Sequence, residues 1–213
     1  MYLSRLRINR RHPLAQIDLN DRYELHRSLL SAFPQPTPPE ERILYRVEFV
    51  RPLPYVAIRV HSLTWPEWEN LELISGPGYL FQAPAMQAVD LRLSAGSQLR
   101  FRLVANPTRK RKGKRYPISG QRKLMGWLQR KAIYHGFAFE PRDVNIEKLR
   151  KVQGKGNKLV WHAVRFDGAL EVIEARAFAK ALRYGIGSAR CFGFGLLSVR
   201  HLPECVLETR LAA

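Results

Sequence analysis

Cysteine and long apolar runs are both scarce in this chain of 213 residues. Its two cysteines, Cys191 and Cys205, have no CxxC spacing and no nearby pair of histidines, so neither a structural zinc site nor a disulfide framework is expected. No stretch approaches the roughly 18 consecutive apolar residues of a membrane-spanning helix, and the N-terminus alternates apolar and basic residues, unlike a signal peptide. We therefore expect a cytoplasmic protein that binds no metal and no other cofactor.

Acidic residues are also scarce, with 18 Asp and Glu against 36 Lys and Arg, which gives a net charge of +18. The excess is concentrated between residues 100 and 165, which contain 19 basic and 3 acidic residues. Such a block makes a neutral small substrate a weak hypothesis and favours a polyanion, with nucleic acid ahead of an anionic membrane surface. The membrane alternative fails because the most basic run, 109–115, has no interleaved aromatic residues and belongs to no amphipathic helix.

Two segments within this block differ in kind. The run 109–115 follows Asn106-Pro107 and contains no apolar residue, so we expect a mobile loop that contacts phosphates. Residues 144–152 and 158–165 are β-prone runs separated by a glycine-rich turn, which predicts a basic β-hairpin narrow enough to enter a nucleic-acid groove. Basic strands also serve simply to prevent aggregation. The candidate RNA-binding residues of the two segments are Arg109, Lys110, Arg111, Lys112, Lys114, Arg115, Lys148, Arg150, Lys151, Lys155 and Lys158.

Hydrophobic spacing predicts an α+β fold whose first half has a β-α-β-β-α-β order. Tyr2 to Asn9 alternates as a half-buried strand. Asp21 is a suitable N-cap, with Glu24 as its capping-box partner, for a helix that buries a stripe at Leu25, Leu29 and Phe33. The order is completed by strands near 43–50, 55–62 and 79–82 and by a short helix that starts near residue 65. This is the order of a ferredoxin-like, RRM-like domain.

The same order then repeats in the second half. Its elements are a strand at 98–104, a helix at 120–134, the basic hairpin with a continuation to residue 173, a helix at 175–184 and a final strand at 194–200. We therefore predict tandem ferredoxin-like domains. The N-terminal domain is 1–94 and carries the helix after Asp21, and the C-terminal domain is 95–213 and carries the basic hairpin and a glycine-rich segment.

The glycine-rich segment 185–195 is the most unusual part of the sequence. It follows a helix and precedes a strand, the reverse of a dinucleotide-binding loop, and it lacks the Gly-Lys-Ser/Thr of a Walker loop. Its backbone is able to adopt positive φ angles and to approach another chain closely. The candidate RNA-binding residues here are Gly185, Gly187, Arg190, Gly193 and Gly195, with a purely structural connection as the alternative.

Four segments in order resemble the CasE family, the repeat-processing endoribonucleases of type I-E Cascade. They are residues 1–4 (MYLS), Tyr23–Arg27 (YELHR), Phe101–Pro107 and Gly193–Ser198, and the glycine pattern itself resembles the RAMP proteins of CRISPR systems. Residues 35–42, 108–118 and 201–213 match no motif of the family. The resemblance implies tandem ferredoxin-like domains, metal-independent cleavage of precursor CRISPR RNA at the base of each repeat hairpin, and retention of the product in Cascade.

Cleavage of RNA without a metal requires one group that takes the proton of the 2′-hydroxyl and another that protonates the leaving 5′-oxygen. Histidine suits both roles, and residue chemistry alone does not choose among His12, His26, His61, His135, His162 and His201. His26 does lie at the margin of the buried stripe of its helix, with Tyr23 three residues earlier on the same face.

The family resemblance makes Tyr23 and His26 the catalytic candidates. It implies that His26 transfers the proton, as general base on the 2′-hydroxyl, and that Tyr23 orients the phosphate or assists the leaving oxygen, although the division of acid and base between them stays open. Arg27, or a basic residue of the second domain, is expected to neutralise charge in the transition state. No Asp/Glu cluster has metal-ligand spacing, which agrees with a metal-free route.

The partners that this resemblance implies are the CRISPR repeat hairpin RNA and the other Cascade subunits, with the protein a monomer when free of that complex. The alternative is a basic, non-catalytic RNA-binding protein, either RAMP-like or associated with the ribosome. It explains the charge and the glycines equally well but gives His26 no special role.

Overall fold

The structure is a computed structural model that describes residues 1–38, 40–49, 52–90 and 93–201. Its first half is a four-stranded antiparallel sheet with the strand order β2-β3-β1-β4. The elements are β1 (Tyr2–Asn9), α1 (Pro13–Asn20), α2 (Arg22–Leu30), β2 (Leu44–Glu48), β3 (Tyr55–Ser62), α3 (Trp68–Ser75) and β4 (Ala85–Ala88).

Alternation along β1 determines which face of this sheet is covered. Leu6 and Ile8 are fully buried in one cluster with Leu25 and Leu29 of α2. Arg5, which precedes Leu6, points to the opposite face and is exposed. Helix α2 therefore packs on one face of the first sheet, and the arginine lies on the other.

The second half contains a larger antiparallel sheet with the order β11-β5-β10-β8, in which β9 also pairs with β10. Its elements are β5 (Gln98–Ala105), β6 (Thr108–Arg111), β7 (Lys114–Pro117), α4 (Gln121–Tyr134), β8 (Phe137–Ala138), β9 (Asn145–Gly154), β10 (Leu159–Val172), α5 (Ala175–Tyr184) and β11 (Leu197–His201). Strands β6 and β7 pair only with each other among the named strands.

Both sheets have the ferredoxin-like strand order, in which the first strand lies between the third and the fourth and the second is at the edge. The predicted α+β fold with tandem ferredoxin-like domains is thus confirmed. The strands of the first sheet lie within residues 2–88 and those of the second within 98–201. The division between residues 94 and 95 stays a prediction, and residues 202–213 of the predicted second domain, with Cys205, lie outside the described residues.

Three local features of the first half differ from the sequence analysis. Helix α1, which has only eight residues, was not predicted; it buries Ala15 and Asp18. Glu24 does not close a capping box, because the backbone N–H of Asp21 already donates to the carbonyl of Ile17 in α1. The fourth strand lies at Ala85–Ala88 and not at 79–82, where Tyr79 and Leu80 are buried in the core instead.

The glycine-rich segment 185–195 connects α5 to β11 and packs against the first domain. Gly193 has a φ of 86°, and a Cβ there would lie 2.9 Å from the ring of Tyr45. A Cβ on Gly185 would lie 3.0 Å from Leu44, and one on Gly195 would lie 2.8 Å from the carbonyl oxygen of Ile186. These positions admit only glycine because the neighbouring strand β2 and the segment's own backbone occupy the space.

We predict that Gly193→Ala destabilises the protein more than Gly96→Ala does. Both glycines have nearly the same φ, 86° and 85°, but a Cβ on Gly96 meets nothing within 4 Å. Gly96→Ala should cost only the left-handed backbone strain of about 1–2 kcal/mol, and Gly193→Ala should add about 1–3 kcal/mol of overpacking. Equal free energies of unfolding in urea would show that Gly193 does not pack tightly against β2.

Candidate nucleic-acid interface and active site

Helix α2 is held at its N-terminus by the carboxylate of Asp21. This N-cap accepts hydrogen bonds from the backbone N–H groups of Tyr23 (2.9 Å) and Glu24 (3.4 Å). Leu25 and Leu29 anchor the opposite side of the helix in the core. Tyr23 lies in the first turn and His26 in the next, and both side chains are half-buried.

The same carboxylate also binds the turn of the basic hairpin formed by β9 and β10. Its oxygens accept hydrogen bonds from the backbone N–H groups of Lys155 (2.9 Å) and Gly156 (2.8 Å). Burial acts to raise the pKa of Asp21, but the four N–H donors outweigh it and hold the pKa below its ordinary value. One side chain therefore joins the helix that carries Tyr23 and His26 to the second domain.

His26 lies in a mainly apolar setting. Its ring contacts Phe192 of the glycine-rich segment edge to face, with centroids 5.9 Å apart. Its Nδ1 is buried and has no hydrogen-bond partner in the described part of the chain. Burial lowers the pKa of His26 below its ordinary value, so the imidazole is neutral at pH 7 and able to accept a proton.

Arg22 is a residue of this site that the sequence analysis missed. It precedes His26 by four residues, so the two side chains lie on the same face of α2. Arg22 is buried, and its Nη1 has no hydrogen-bond acceptor among the described residues. Burial lowers the pKa of its guanidinium. The i, i+4 spacing with His26 was the only signal in the sequence.

Aromatic rings join His26 to the basic hairpin. Phe192 stacks on Trp161 of β10 with centroids 4.6 Å apart, and Phe194 lies against the same indole at 6.2 Å. Leu149 and Val152 of β9 pack against this cluster from the hairpin side. The hairpin is therefore fixed both at its turn, by Asp21, and along its length, by the rings.

The basic hairpin was predicted correctly, and its predicted RNA-binding side chains are exposed. Its turn, however, docks on α2 and does not project into solvent. The exposed set consists of Lys148, Arg150, Lys151, Lys155 and Lys158. Of these cations, Lys155 at the turn is held next to the N-terminal end of the helix that carries Tyr23 and His26.

The run 109–115 is not a loop, and the expectation of an irregular segment was wrong. Strands β6 and β7 form a two-stranded ribbon with positive φ at Lys112 (47°) and Gly113 (77°), as a tight hairpin turn requires. The ribbon escaped the sequence analysis because nearly all of its side chains are exposed, so no apolar alternation marks it. Its predicted RNA-binding residues, Arg109, Lys110, Arg111, Lys112, Lys114 and Arg115, are all exposed.

The root of this ribbon is tied to the glycine-rich segment. Asn106 and Ser188 form an isolated β-bridge, and the hydroxyl of Ser188 donates to the carbonyl of Asn106 at 3.1 Å. The side-chain oxygen of Asn106 also accepts a hydrogen bond from the backbone N–H of His162 in β10. The two basic ribbons are thus joined at Asn106.

The remaining predicted binding residues have observed structural contacts. Arg27 forms an ion pair with Glu24 at 2.9 Å while its side chain stays 65% exposed. The Nη1 of Arg190 donates to the carbonyl of Tyr184 at the end of α5. The four predicted glycines make the close packing described above, except Gly187, which approaches Trp127. RNA contact by all of these residues stays a prediction.

The other histidines lie in different surroundings. Burial lowers the pKa of His61 to about 4, and burial together with Lys131 lowers that of His135 to about 4. His12 packs on Tyr79, and His201 is exposed at the end of β11. Among the described residues, the ring of His26 contacts Phe192 of the glycine-rich segment, whereas the ring of His12 contacts Tyr79.

Two absences hold for the part of the chain that the structure describes. No three His, Cys, Asp or Glu side chains there are grouped so that they would hold a metal ion. Among the same residues, no helix has both the length and the apolar character needed to cross a membrane.

Comparison with known proteins gives consistent matches along the chain. A family model described as CRISPR associated protein matches residues 1–201. The chain is 33% identical to the CRISPR-associated endoribonuclease Cse3 of Thermus thermophilus, over 93% of this chain and 99% of that protein. It is 30% identical to the CRISPR system Cascade subunit CasE of Escherichia coli, over 95% of this chain and 100% of that protein.

Solved structures agree with these matches. Thermus thermophilus Cse3 bound to an RNA representing a pre-cleavage complex matches with a TM-score of 0.82 and 33% identity, over 93% of this chain and 98% of that one. The CRISPR-associated protein Cas6e of Escherichia coli matches with a TM-score of 0.72 and 27% identity, over 95% of this chain and 100% of that one.

We predict that Asp21→Ala loosens the docked turn of the basic hairpin as well as helix α2. Glu174→Ala is the matched control, because Glu174 caps α5 through the backbone N–H groups two and three residues further on, as Asp21 caps α2, but forms no hydrogen bond to the first domain among the described residues. Each variant should lose about 0.5–2 kcal/mol of stability. Only Asp21→Ala should speed hydrogen exchange at the amides of Lys155 and Gly156.

The same contact should also weaken in acid. Because the pKa of Asp21 is lowered by folding, its stabilisation is complete above its ordinary pKa and is lost as the pH falls through the lowered value. Unchanged exchange at Lys155 and Gly156 in Asp21→Ala would contradict the docking.

Proposed function

This chain belongs to the family of CRISPR associated proteins, and we propose that it is a metal-independent endoribonuclease that cleaves precursor CRISPR RNA at the repeat hairpin and remains on the product as a Cascade subunit. The observation that carries the proposal is a neutral, half-buried His26 beside Tyr23, on a helix that the turn of a basic hairpin docks against. We infer that this cleavage takes place in the cytoplasm.

In this mechanism the RNA supplies its own nucleophile. His26 accepts the proton of the 2′-hydroxyl, whose oxygen attacks the adjacent phosphorus. The bond from phosphorus to the 5′-oxygen then breaks, and this oxygen takes a proton, with Tyr23 as the donor or as the group that orients the phosphate. The products are a 2′,3′-cyclic phosphate and a 5′-hydroxyl.

Cations around α2 stabilise the charge that develops on the phosphate. Lys155 is brought to the N-terminal end of the helix by its own backbone hydrogen bond to Asp21. Arg22 lies one residue before Tyr23, with an Nη1 that has no acceptor among the described residues. Preorganised donors of this kind act most strongly in a site that excludes water. Arg27 is a weaker alternative for this stabilisation, because its side chain is exposed and already forms an ion pair with Glu24.

The ribbon of β6 and β7 is the better candidate for entering a groove of the hairpin RNA. It projects with six cations and no acidic residue, whereas the turn of the longer hairpin is docked on α2. The register places Lys110 opposite Arg115 and Arg111 opposite Lys114, which is unfavourable until an anion lies between them. A-form RNA has a deep, narrow major groove, which a projecting ribbon is able to enter near the end of a helix.

Retention of the product follows from where these cations lie. In this proposal they bind the repeat hairpin itself, so a cut at the 3′ base of the hairpin leaves most of the phosphate contacts in place. The cleaved RNA should therefore leave no faster than the substrate, which suits a subunit that delivers its product to a larger complex.

We predict that cleavage of hairpin RNA proceeds in EDTA and leaves a 5′-hydroxyl and a 2′,3′-cyclic phosphate or 3′-phosphate. His26→Ala should slow single-turnover cleavage by about 10²–10⁴-fold, as expected for a lost acid–base group, with little change in RNA affinity. His201→Ala, a change at an exposed histidine at the end of β11, is the control and should cleave normally. A 3′-hydroxyl product would rule out attack by the 2′-hydroxyl.

The pH dependence should identify the direction of proton transfer at His26. Because burial lowers the pKa of His26, we expect the second-order rate constant for cleavage to rise with pH through that lowered pKa and to level off above it. If His26 served as the general acid, the rate constant would instead fall as the pH rises through that pKa. Measurements at protein concentrations below the Kd report the free enzyme.

We also predict that the two basic ribbons contribute differently to affinity. Replacement of Lys110, Arg111, Lys114 and Arg115 by Ala should weaken binding to a paired hairpin more than binding to an unpaired RNA of the same length. Replacement of Lys148, Arg150 and Lys151 by Ala should weaken both to a similar extent. Each lost phosphate contact should flatten the slope of log K against log[salt] by about 0.7–0.9. Equal losses for paired and unpaired RNA in the first variant would argue against groove entry.

A further inference from the structure

The open faces of the two sheets form a second charged surface, distinct from the site on α2. Arg59 of β3 lines this surface and points away from Ile58 and Val60, which are buried in one cluster with Leu25 of α2, so the cleft and the candidate active site lie on opposite faces of the first sheet. In the second sheet, Arg100 and Arg102 alternate in the same way with buried Leu99 and Phe101. A cleft of about 820 Å³ lies between these two open faces.

Arginines in this cleft stand directly opposite one another in the strand register. In the first sheet, Arg59 of β3 is opposite Arg46 of β2. In the second sheet, Arg100 of β5 is opposite Arg200 of β11. Like charges opposite each other across strands are destabilising, so the free protein carries a cost that an anion would relieve.

Only part of this charge is neutralised by the protein itself. Glu48 pairs with Arg46 at 2.8 Å and with Arg59 at 3.2 Å, and Asp167 pairs with Arg102 at 2.6 Å. Arg100 and Arg200 are exposed, and neither forms an ion pair in the parts of the chain that the structure describes. These two guanidiniums are therefore available to an incoming anion.

The walls of the cleft are rigid where they meet. Arg46 is 3% exposed, and its Nη1 donates to the hydroxyl of Ser198 in β11 at 2.9 Å. This hydrogen bond connects the first sheet to the second. The cleft is therefore preformed in the free protein, which reduces the entropy lost when a partner binds.

The lining favours carboxylates of a protein over the backbone of an RNA. Glu48, Asp143 and Asp167 lie in the cleft and would repel a chain with a phosphate at every nucleotide more than a segment that places one or two carboxylates against Arg100 and Arg200. The one aromatic residue that lines the cleft, Phe101, is buried and offers no face on which a base could stack. Arg100 and Arg200, in contrast, present the planar fork that pairs with carboxylates in a bidentate manner.

We propose that this arginine cleft binds an acidic segment of a neighbouring Cascade subunit, through Asp or Glu side chains that pair with Arg100 and Arg200. The inference rests on the proposed role of the protein as a Cascade subunit. The position of the cleft allows both contacts at once, because α2 covers the opposite face of the first sheet. The protein would then hold its RNA on one side and its protein partner on the other.

The test is a double substitution, Arg100→Gln/Arg200→Gln, with the charge reversal Arg100→Glu/Arg200→Glu as a stronger form. Co-expressed with the other Cascade subunits and a CRISPR transcript, the variants should recover at least tenfold less of those subunits. Arg176→Gln/Lys180→Gln, a pair of exposed residues on α5, removes the same charge elsewhere and should assemble normally. Single-turnover cleavage and hairpin affinity of the isolated variants should stay within twofold of the parent.

Stability gives a readout that a structural role would not produce. Because the Gln pair removes a like-charge contact, Arg100→Gln/Arg200→Gln should keep or raise the Tm of the free protein, whereas a structural pair would lower it. Normal assembly by both double variants would overturn the proposal. So would a fall in RNA affinity together with a flatter salt dependence, since the cleft would then bind RNA. If the unsubstituted protein failed to cleave hairpin RNA, that result would instead count against the proposed function.

Discussion

The approach of the backbone at Gly193 to the ring of Tyr45 is the contact on which the geometry of the site depends. The hydroxyl of Tyr45 donates a hydrogen bond to the carbonyl of Arg22 and so fixes the start of α2. Phe192, adjacent in sequence to Gly193, touches both His26 and Trp161. A side chain at position 193 would therefore displace the helix and the hairpin together. Position 193 requires glycine because a Cβ would collide with Tyr45 of the first domain, and because the backbone there has a positive φ.

The exposed cations of the protein and its candidate proton-transfer residue, His26, lie in different environments. The cations of the second domain are exposed on two ribbons, where water and phosphates are both accessible. His26 lies on α2 against Phe192, in a setting that keeps its imidazole neutral by desolvation. Strong positive charge near a histidine also favours its neutral form, so a basic RNA-binding surface is compatible with a histidine base. The negative phosphates of a bound RNA would have the opposite effect and raise the pKa of His26.

The extent to which the sequence predicted the structure depended on how far apart the interacting residues are. Helix α2, its cap at Asp21 and the hairpin of β9 and β10 follow from local patterns, and all three are present. The ribbon of β6 and β7 has no apolar side to mark it. Burial of Arg22 is a property of the tertiary structure, since an arginine in the first turn of a helix is usually exposed. The contact of Asp21 with Lys155 joins residues 134 apart, and no spacing in the sequence could indicate it.

Docking of the hairpin turn on Asp21 also makes the length of the hairpin a matter of geometry. Strand β9 has ten residues and spans about 33 Å at roughly 3.3 Å per residue, from the core of the second domain to the cap of α2. Removal of one residue from each strand would withdraw the turn by about 3 Å and rotate its side chains to the opposite face. Removal of two would keep the faces but leave a gap of about 7 Å at Asp21. The distance from the second domain to Asp21 therefore constrains the number of residues in the hairpin, in addition to the identity of the residues at its turn.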